Sequence, residues 1–180
     1  ALGCDLLVFS GYKVFGPMLG VMWGRRRVLE SLKPFRVETN QDAMPCKFEQ
    51  GSLSNASLAS LGAALRYIAW LADELDPQLA GEDRRSKFRR AMTAVAAYER
   101  EISRKVLTGF RSFGRERFCL FGIAAPLEAA FRDPTFSFEI PGLPAPELKR
   151  RLWEKAGIQI ADGNHYSAAF FRHYRKDSVC

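Results

Sequence analysis

The sequence has few of the residues from which proteins build metal sites. Its 180 residues include only two histidines, His165 and His173, and its four cysteines contain no Cys-x-x-Cys pair. Structural zinc requires several cysteine or histidine ligands at short spacings, so we predict no metal site. Scattered, unpaired cysteines also favour a reducing compartment, and we therefore expect a cytoplasmic protein.

Long apolar segments are missing as well. No run reaches the roughly 18 apolar residues of a membrane-spanning helix, because Gly, Lys or Arg interrupts the longest stretches, and nothing resembles a signal peptide. We therefore expect a soluble protein without a membrane partner. The hydrophobic content of 47% is enough for a substantial core, which predicts one globular domain, or one and a half, and argues against disorder.

Charge of one sign dominates, with a formal net charge of +7 that comes from short clusters of arginine and lysine. A basic surface attracts nucleic acids and anionic substrates in general, but net charge does not identify either of them. Because the sequence contains no nucleic-acid recognition module, we do not expect a nucleic-acid partner.

The first half of the chain predicts a hairpin followed by two helices. Residues 5–9 are typical of a buried strand and residues 19–23 of a second strand, with a glycine-containing loop between them. Apolar residues three and four positions apart predict an amphipathic helix from Ser54 to Ala72. A second helix is predicted from about Glu82 to Val106.

The second half has the pattern of a small α/β unit after that long helix. A change of composition near Thr108 predicts a division into residues 1–107 and 108–180. Gly157 is well placed to end the helix of this unit. The predicted elements are strands at 118–121, 135–140 and 158–161 and a helix at about 146–156.

One lysine lies in the loop between the two predicted strands, in the sequence Ser10-Gly-Tyr-Lys13-Val-Phe-Gly16-Pro17. This segment resembles the lysine region of the class V aminotransferase and cysteine desulfurase family, whose lysine forms a Schiff base with pyridoxal 5'-phosphate. The resemblance implies that Lys13 is catalytic and binds the cofactor, with Ser10 and Tyr12 beside it. Such chemistry needs an amine on a long stem and a backbone that can approach the cofactor. The alternative is a surface lysine in a turn.

A second motif, Lys47-Phe-Glu-Gln-Gly-Ser52, is similar to the Phe-Glu-x-Gly-Thr element of the same family. In the family's homodimers this element reaches the cofactor phosphate of the other subunit, which implies that Gly51 and Ser52 bind phosphate here. A serine hydroxyl and a glycine N–H can both donate hydrogen bonds to phosphate. An alternative, compatible with the first, is that Ser52 and Ser54 cap the following helix.

A third resemblance covers the tail, where Ala161-Asp-Gly-Asn-His-Tyr166 is similar to a loop of the family's small C-terminal domain. It implies that Asn164, His165 and Tyr166 form a substrate loop. In one group of cysteine desulfurases this loop carries the cysteine that attacks the substrate sulfur, whereas here Tyr166 stands at that place. A phenol cannot carry a persulfide, which argues against desulfurase chemistry by this route. Cys46 and Cys180 are candidates to replace the missing loop cysteine only by elimination.

Together the three resemblances imply an α/β fold, namely the back half of a fold type I large domain and most of a small C-terminal α/β domain. They imply a transferase or lyase that acts on a small amino-acid substrate and is a homodimer at full length. The family's aspartate for the pyridine nitrogen and arginine for the substrate carboxylate have no match here. We therefore expect this chain alone to be inactive and to expose apolar surface. The alternative is a non-catalytic remnant of the fold or a protein-interaction domain.

Overall fold

The computed structural model describes residues 3–79 and 81–180 and has a mixed α/β architecture of helices and two small sheets. It divides into two compact units, Ala1–Met92 and Thr93–Cys180. The division falls inside one long helix, whereas the sequence predicts a boundary between residues 107 and 108. That domain assignment stays a prediction.

A β-hairpin opens the first unit. Strand β1 (Leu6–Ser10) pairs antiparallel with strand β2 (Gly20–Gly24), with Leu6 opposite Gly24 and Ser10 opposite Gly20. A 3₁₀ turn, Gly11–Val14, follows β1 directly. The predicted hairpin is therefore confirmed, and each strand lies one residue further along the chain than predicted.

The prediction that the first strand is buried is wrong for this chain. Leu6, Leu7 and Val8 are exposed, and so is Trp23 on the opposite strand, with Val8 exposed by 70%. Two strands alone are too small a sheet to bury both of their faces, and burial requires a packed layer on each face. The apolar residues of this hairpin remain in contact with solvent.

Three helices complete the first unit or begin in it: α1 (Arg26–Ser31), α2 (Asn55–Leu75) and α3 (Arg84–Arg111). The long helices α2 and α3 confirm the two predicted helices, but α1 was not predicted. The core of this unit lies between them, where Ile68, Ala72 and Ala91 are buried and the side chains of Leu71 and Phe88 pack against them.

Polar contacts define how α2 and α3 begin and how they are joined. The Ser54 hydroxyl accepts a hydrogen bond from the N–H of Ser57 at 3.3 Å, which caps α2. Asp83 accepts one from the N–H of Arg85 at 2.9 Å at the start of α3, and hydrogen bonds from Ser86 lower its pKa. Lys87 of α3 forms an ion pair of 2.7 Å with Asp73 of α2. None of the helices in the described part of the chain is long and apolar enough to cross a membrane.

The second unit contains a short sheet and two helices. Strand β3 (Cys119–Leu120) pairs antiparallel with β4 (Phe138–Glu139), and helices α4 (Ala145–Ala156) and α5 (Ala168–Tyr174) follow. Gly157 ends α4 in the left-handed conformation, with φ of +64°, as predicted. Helix α5 was not predicted.

Aromatic side chains form the core of this unit around the end of α3. The rings of Phe110 and Phe118 have centroids 4.5 Å apart, and Phe118 stacks on Phe138 at 5.0 Å. Leu107, one turn before Phe110, is fully buried. The last turns of α3 are therefore held to the short sheet by apolar packing.

Two strand predictions of this unit are too long and a third is wrong. Strands β3 and β4 have two residues each, and residues 158–161 form no strand. Instead, a single bridge joins Gly163 to Val179, and Cys180 exchanges backbone hydrogen bonds of 2.8 and 3.1 Å with Phe138. Alternation of apolar residues predicts a strand only where a partner strand lies alongside, and residues 158–161 have none.

Replacing Leu107 should test the aromatic core. We expect Leu107→Ala to lower the free energy of unfolding by about 2–5 kcal/mol, because it removes a fully buried side chain and leaves a cavity. Ile102→Ala is the matched control on the same helix, since Ile102 is 40% exposed, and it should cost less than about 1 kcal/mol. Urea unfolding of the three proteins measures both values, and equal losses would contradict this assignment of the core.

Candidate functional site

Lys13 lies in the tight turn that joins the two strands of the hairpin. The turn is closed by two backbone hydrogen bonds, from the N–H of Gly11 to the carbonyl of Leu19 at 2.6 Å and from the N–H of Gly16 to the carbonyl of Gly11 at 2.9 Å. The Lys13 side chain is exposed, and its Nζ lies 5.9 Å from the centroid of the Tyr12 ring. The hydrogen-bonded turn thus presents the Lys13 side chain to solvent.

Two glycines of this turn are required by close packing. A Cβ atom on Gly11 would lie 2.8 Å from the carbonyl oxygen of Pro17, and one on Gly16 would lie 2.8 Å from the carbonyl oxygen of Gly11. Neither backbone oxygen can move without opening the turn. The Cβ position of Gly16 also lies 3.1 Å from a methyl group of Leu61, so the turn packs against α2.

The second motif lies just before α2. Gly51 has a φ of +73°, a conformation that favours glycine, and both Gly51 and Ser52 are exposed. Ser54 is the cap of α2, and Ser52 makes no side-chain hydrogen bond within residues 3–79 and 81–180. Of the two serines proposed as caps, only Ser54 acts as one, which leaves the Ser52 hydroxyl available for another partner.

Both motifs of the first unit are therefore next to the same part of the same helix. Ser52 precedes the first turn of α2, and Leu61, which contacts the lysine turn, lies about two turns into it. Ser10 is half-buried at the end of β1, and Tyr12 is 54% exposed beside Lys13. The lysine turn and the Gly51-Ser52 segment are thus both attached to the first half of α2.

The predicted substrate loop forms a tight turn in the second unit. The N–H of Ser167 donates to the carbonyl of Asn164 at 2.8 Å, and the side chain of Asn164 accepts from the N–H of Tyr166 at 3.1 Å. His165 and Tyr166, the two central residues, have φ of +49° and +57°. His165 Nε2 lies 3.2 Å from the carbonyl of Val179, whereas the Tyr166 side chain is fully exposed.

Cys180, one of the two thiols considered as a sulfur carrier, lies in an environment that does not activate it. Burial raises the pKa of the Cys180 thiol, with a further contribution from the negative charge of Asp162, and its Sγ lies 3.5 Å from the carbonyl of Ala145. A raised pKa lowers the thiolate fraction and with it the nucleophilicity. Cys46 is half-buried in a loop. Across the part of the chain that the structure describes, no three His, Cys, Asp or Glu side chains are grouped to hold a metal ion.

Comparison with known proteins identifies the class to which this lysine turn belongs. Residues 1–78 match the family model described as aminotransferase class-V. A cysteine desulfurase of Yersinia pestis (strain Pestoides F) is 36% identical over 194 residues, which cover 100% of this chain and 41% of the relative. One of Klebsiella pneumoniae (strain 342) is 26% identical, with coverages of 100% and 41%, and one of Synechococcus elongatus is 29% identical, with coverages of 97% and 25%.

The matches thus indicate a family of pyridoxal-phosphate-dependent enzymes. The chain belongs to the class V aminotransferase and cysteine desulfurase-like family. It spans between 25% and 41% of the length of these three relatives. The family resemblance inferred from the sequence motifs is confirmed, whereas the roles of Lys13, Gly51, Ser52 and the residues of the turn at Tyr166 stay predictions.

Sequence reasoning missed the side chains that hold the second motif in place. Lys47 belongs to that motif and is buried, and Asn40 and Gln50 donate hydrogen bonds to backbone carbonyls nearby. The sequence alone does not indicate this burial, because a lysine in a loop is usually exposed to solvent. The partners of Lys47 are backbone carbonyls, which no side-chain pattern reveals.

The lysine turn should tolerate no side chain at Gly16. We expect Gly16→Ala to lower the free energy of unfolding by about 1–3 kcal/mol, because the added methyl group meets a backbone oxygen. Gly20→Ala is the matched control in β2, where a Cβ atom meets nothing within 4 Å, and it should change stability by less than about 0.5 kcal/mol. Thermal unfolding of both variants and the wild type measures these changes. An unchanged stability in Gly16→Ala would refute the packing described for this turn.

The stability of the turn at Tyr166 should depend on whether a glycine or an alanine replaces this residue. We expect Tyr166→Gly to be more stable than Tyr166→Ala by about 1 kcal/mol, because only glycine adopts the positive φ of this residue without steric cost. Both variants lose the same exposed ring, so their difference isolates the backbone. Chemical denaturation of the pair gives this difference, and a more stable alanine variant would show that residue 166 lacks the left-handed conformation.

Proposed function

We propose that this chain is part of a pyridoxal-phosphate-dependent transferase or lyase that acts on a small amino acid through Lys13. The observation that carries the proposal is the position of Lys13, exposed on a glycine-closed turn inside the segment that matches the family model. Its side chain is exposed and forms no ion pair within the described residues, so an aldehyde can reach its Nζ.

The residues around the first half of α2 suit the cofactor chemically. Lys13 provides the amine for the aldehyde of one cofactor, and the N–H of Gly51 and the hydroxyl of Ser52 provide donors for the phosphate of the cofactor in the other subunit. Ser10 and Tyr12 flank the lysine. When bound, pyridoxal phosphate supplies an electron sink for bonds at the substrate α-carbon. The part of Lys13 is then to hold the cofactor and to move a proton at that carbon through its Nζ.

The architecture we propose for the whole protein follows from the family. Residues 1–107 would correspond to the back half of a fold type I large domain and residues 108–180 to most of a small α/β domain. We propose a homodimer in which Ser52 serves the phosphate of the other subunit. Four free cysteines are compatible with the reducing cytoplasm that we propose as its location.

The turn at Asn164, His165 and Tyr166 supports a narrower statement about the reaction. The relatives named above are cysteine desulfurases, but Tyr166 offers a phenol where one group of such enzymes has a thiol. A phenol cannot carry a persulfide, and the pKa of the Cys180 thiol is raised. We therefore propose that the reaction is that of an aminotransferase or of a lyase, in preference to sulfur transfer. Sulfur transfer would require a thiol from elsewhere.

A second candidate function is supported by the exposed hairpin. Val8 and Met22 are exposed apolar side chains directly opposite each other on the paired strands, and an exposed apolar face of this kind is typical of protein interfaces. A non-catalytic chain could keep the fold and bind a protein partner through this face. Cofactor binding separates the two candidates, and we expect the isolated chain to be catalytically inactive in either case.

The decisive experiment is a titration of the purified chain with pyridoxal phosphate, followed by absorbance. We expect a band characteristic of a lysine-bound cofactor in the wild type and in Lys33→Ala, and none in Lys13→Ala, because only Lys13 lies in the matched turn. Lys33 is the control because it is also an exposed lysine of the first unit. Borohydride reduction and peptide mapping should place the modification on Lys13.

A band of equal intensity in Lys13→Ala would show non-specific reaction of surface lysines and would reject the assignment. Absence of any band in the wild type would favour the non-catalytic candidate.

A further inference from the structure

Lys47 is a buried lysine whose ammonium group is held by carbonyl oxygens. The residue is 7% exposed, and its Nζ donates hydrogen bonds to the carbonyl of Glu30 at 2.8 Å and to that of Leu29 at 3.2 Å. Both carbonyls belong to the last turn of α1, which has no intrahelical partners for them. Within the described residues no carboxylate lies within ion-pair distance of this Nζ. A buried ammonium is costly unless it is hydrogen-bonded, so these contacts fix the side chain.

Two amide side chains hold the same segment from either side. Asn40 Nδ2 donates to the carbonyl of Cys46 at 2.6 Å. Gln50 Nε2 donates to the carbonyl of Phe35 at 2.6 Å, and Gln50 Oε1 accepts from the N–H of Val37 at 3.4 Å. Residues 46–50 are therefore tied to residues 29–40 at three points along their length.

The backbone between these points is also hydrogen-bonded. The N–H of Lys47 donates to the carbonyl of Ala43 at 2.9 Å, that of Phe48 to Pro45 at 3.0 Å, and that of Glu49 to Cys46 at 3.2 Å. The hydrogen-bonded turn ends there, and the exposed Gly51 and Ser52 follow directly. The conformation of these two residues is thus set by a segment that is anchored immediately before them, while the cap at Ser54 anchors α2 immediately after them.

We propose that Lys47, Asn40 and Gln50 form a clamp that positions Gly51 and Ser52 to bind a phosphate group. Lys47 is a positioning residue in this proposal, because its ammonium is buried on carbonyls and makes no use of its charge toward a ligand. The inference rests on the proposed function, in which Gly51 and Ser52 contact the phosphate of pyridoxal phosphate. It assigns a role to the lysine of this motif that differs from direct phosphate binding.

The first test compares the cofactor with its unphosphorylated analogue. We expect Lys47→Met to weaken binding of pyridoxal phosphate by about tenfold, the equivalent of one lost phosphate hydrogen bond, and binding of pyridoxal by less than about twofold. Lys33→Met is the matched control, since it removes the charge of an exposed lysine and should leave both dissociation constants unchanged. Gln50→Ala, at an exposed position that endangers folding less, should show the same selective loss with a smaller amplitude.

The second test needs no cofactor. Amide hydrogen exchange should become about tenfold faster at Phe48 and Glu49 in Lys47→Met, because these hydrogen-bonded amides lie in the clamped segment, and it should not change in the hairpin formed by β1 and β2. Unchanged exchange at Phe48 and Glu49 overturns the clamp. An equal loss of affinity for pyridoxal phosphate and pyridoxal overturns its role toward phosphate, because a general loss of structure would affect both ligands alike.

The two tests also separate this inference from the proposed function. If the wild type forms no Lys13-dependent band but exchange accelerates in Lys47→Met, the clamp is supported and the cofactor assignment has failed. If the wild type binds the cofactor through Lys13 and Lys47→Met binds it equally well, the cofactor assignment is supported and the clamp has failed.

Discussion

The close contact between backbone segments inside the lysine turn is the constraint on which the first unit depends. Gly11 and Gly16 bring carbonyl oxygens to 2.8 Å from the positions where their Cβ atoms would be, so the turn can close only with glycine at both residues. Closure pairs β1 with β2 in register and directs Lys13 to the solvent. It also brings Gly16 against Leu61, which fixes the hairpin to α2.

Helix α2 then serves as a common support for two motifs that are distant in sequence. The lysine turn packs on its first half, and the Gly51-Ser52 segment leads into its first turn through the Ser54 cap. The buried Lys47 holds that segment from the other side through carbonyls of α1. The positions of the two short motifs therefore depend on the hairpin, α1 and α2 together.

Elements with strong local patterns were predictable, and those that depend on distant partners were not. The hairpin, α2, α3 and the Gly157 stop follow from apolar spacing and from the conformational freedom of glycine. Helix α1 and helix α5 are short and have weak patterns. The prediction of a strand at 158–161 was wrong because no partner strand lies beside these residues. Strands β3 and β4 are shorter than predicted, since only two residues of each are paired.

By itself the sequence determined which side chains are available to this protein, such as a lysine among glycines and a serine beside Gly51, and it carried the resemblance to a pyridoxal-phosphate-dependent family that the comparisons support. Residue type and spacing are sufficient for these conclusions because they concern single side chains. Only the tertiary structure decided that Ser54 and not Ser52 caps α2, that Lys47 is buried on carbonyls, and that the first strand is exposed. These features depend on which backbone segments meet across many residues, and contacts of that kind leave no periodic trace in the sequence.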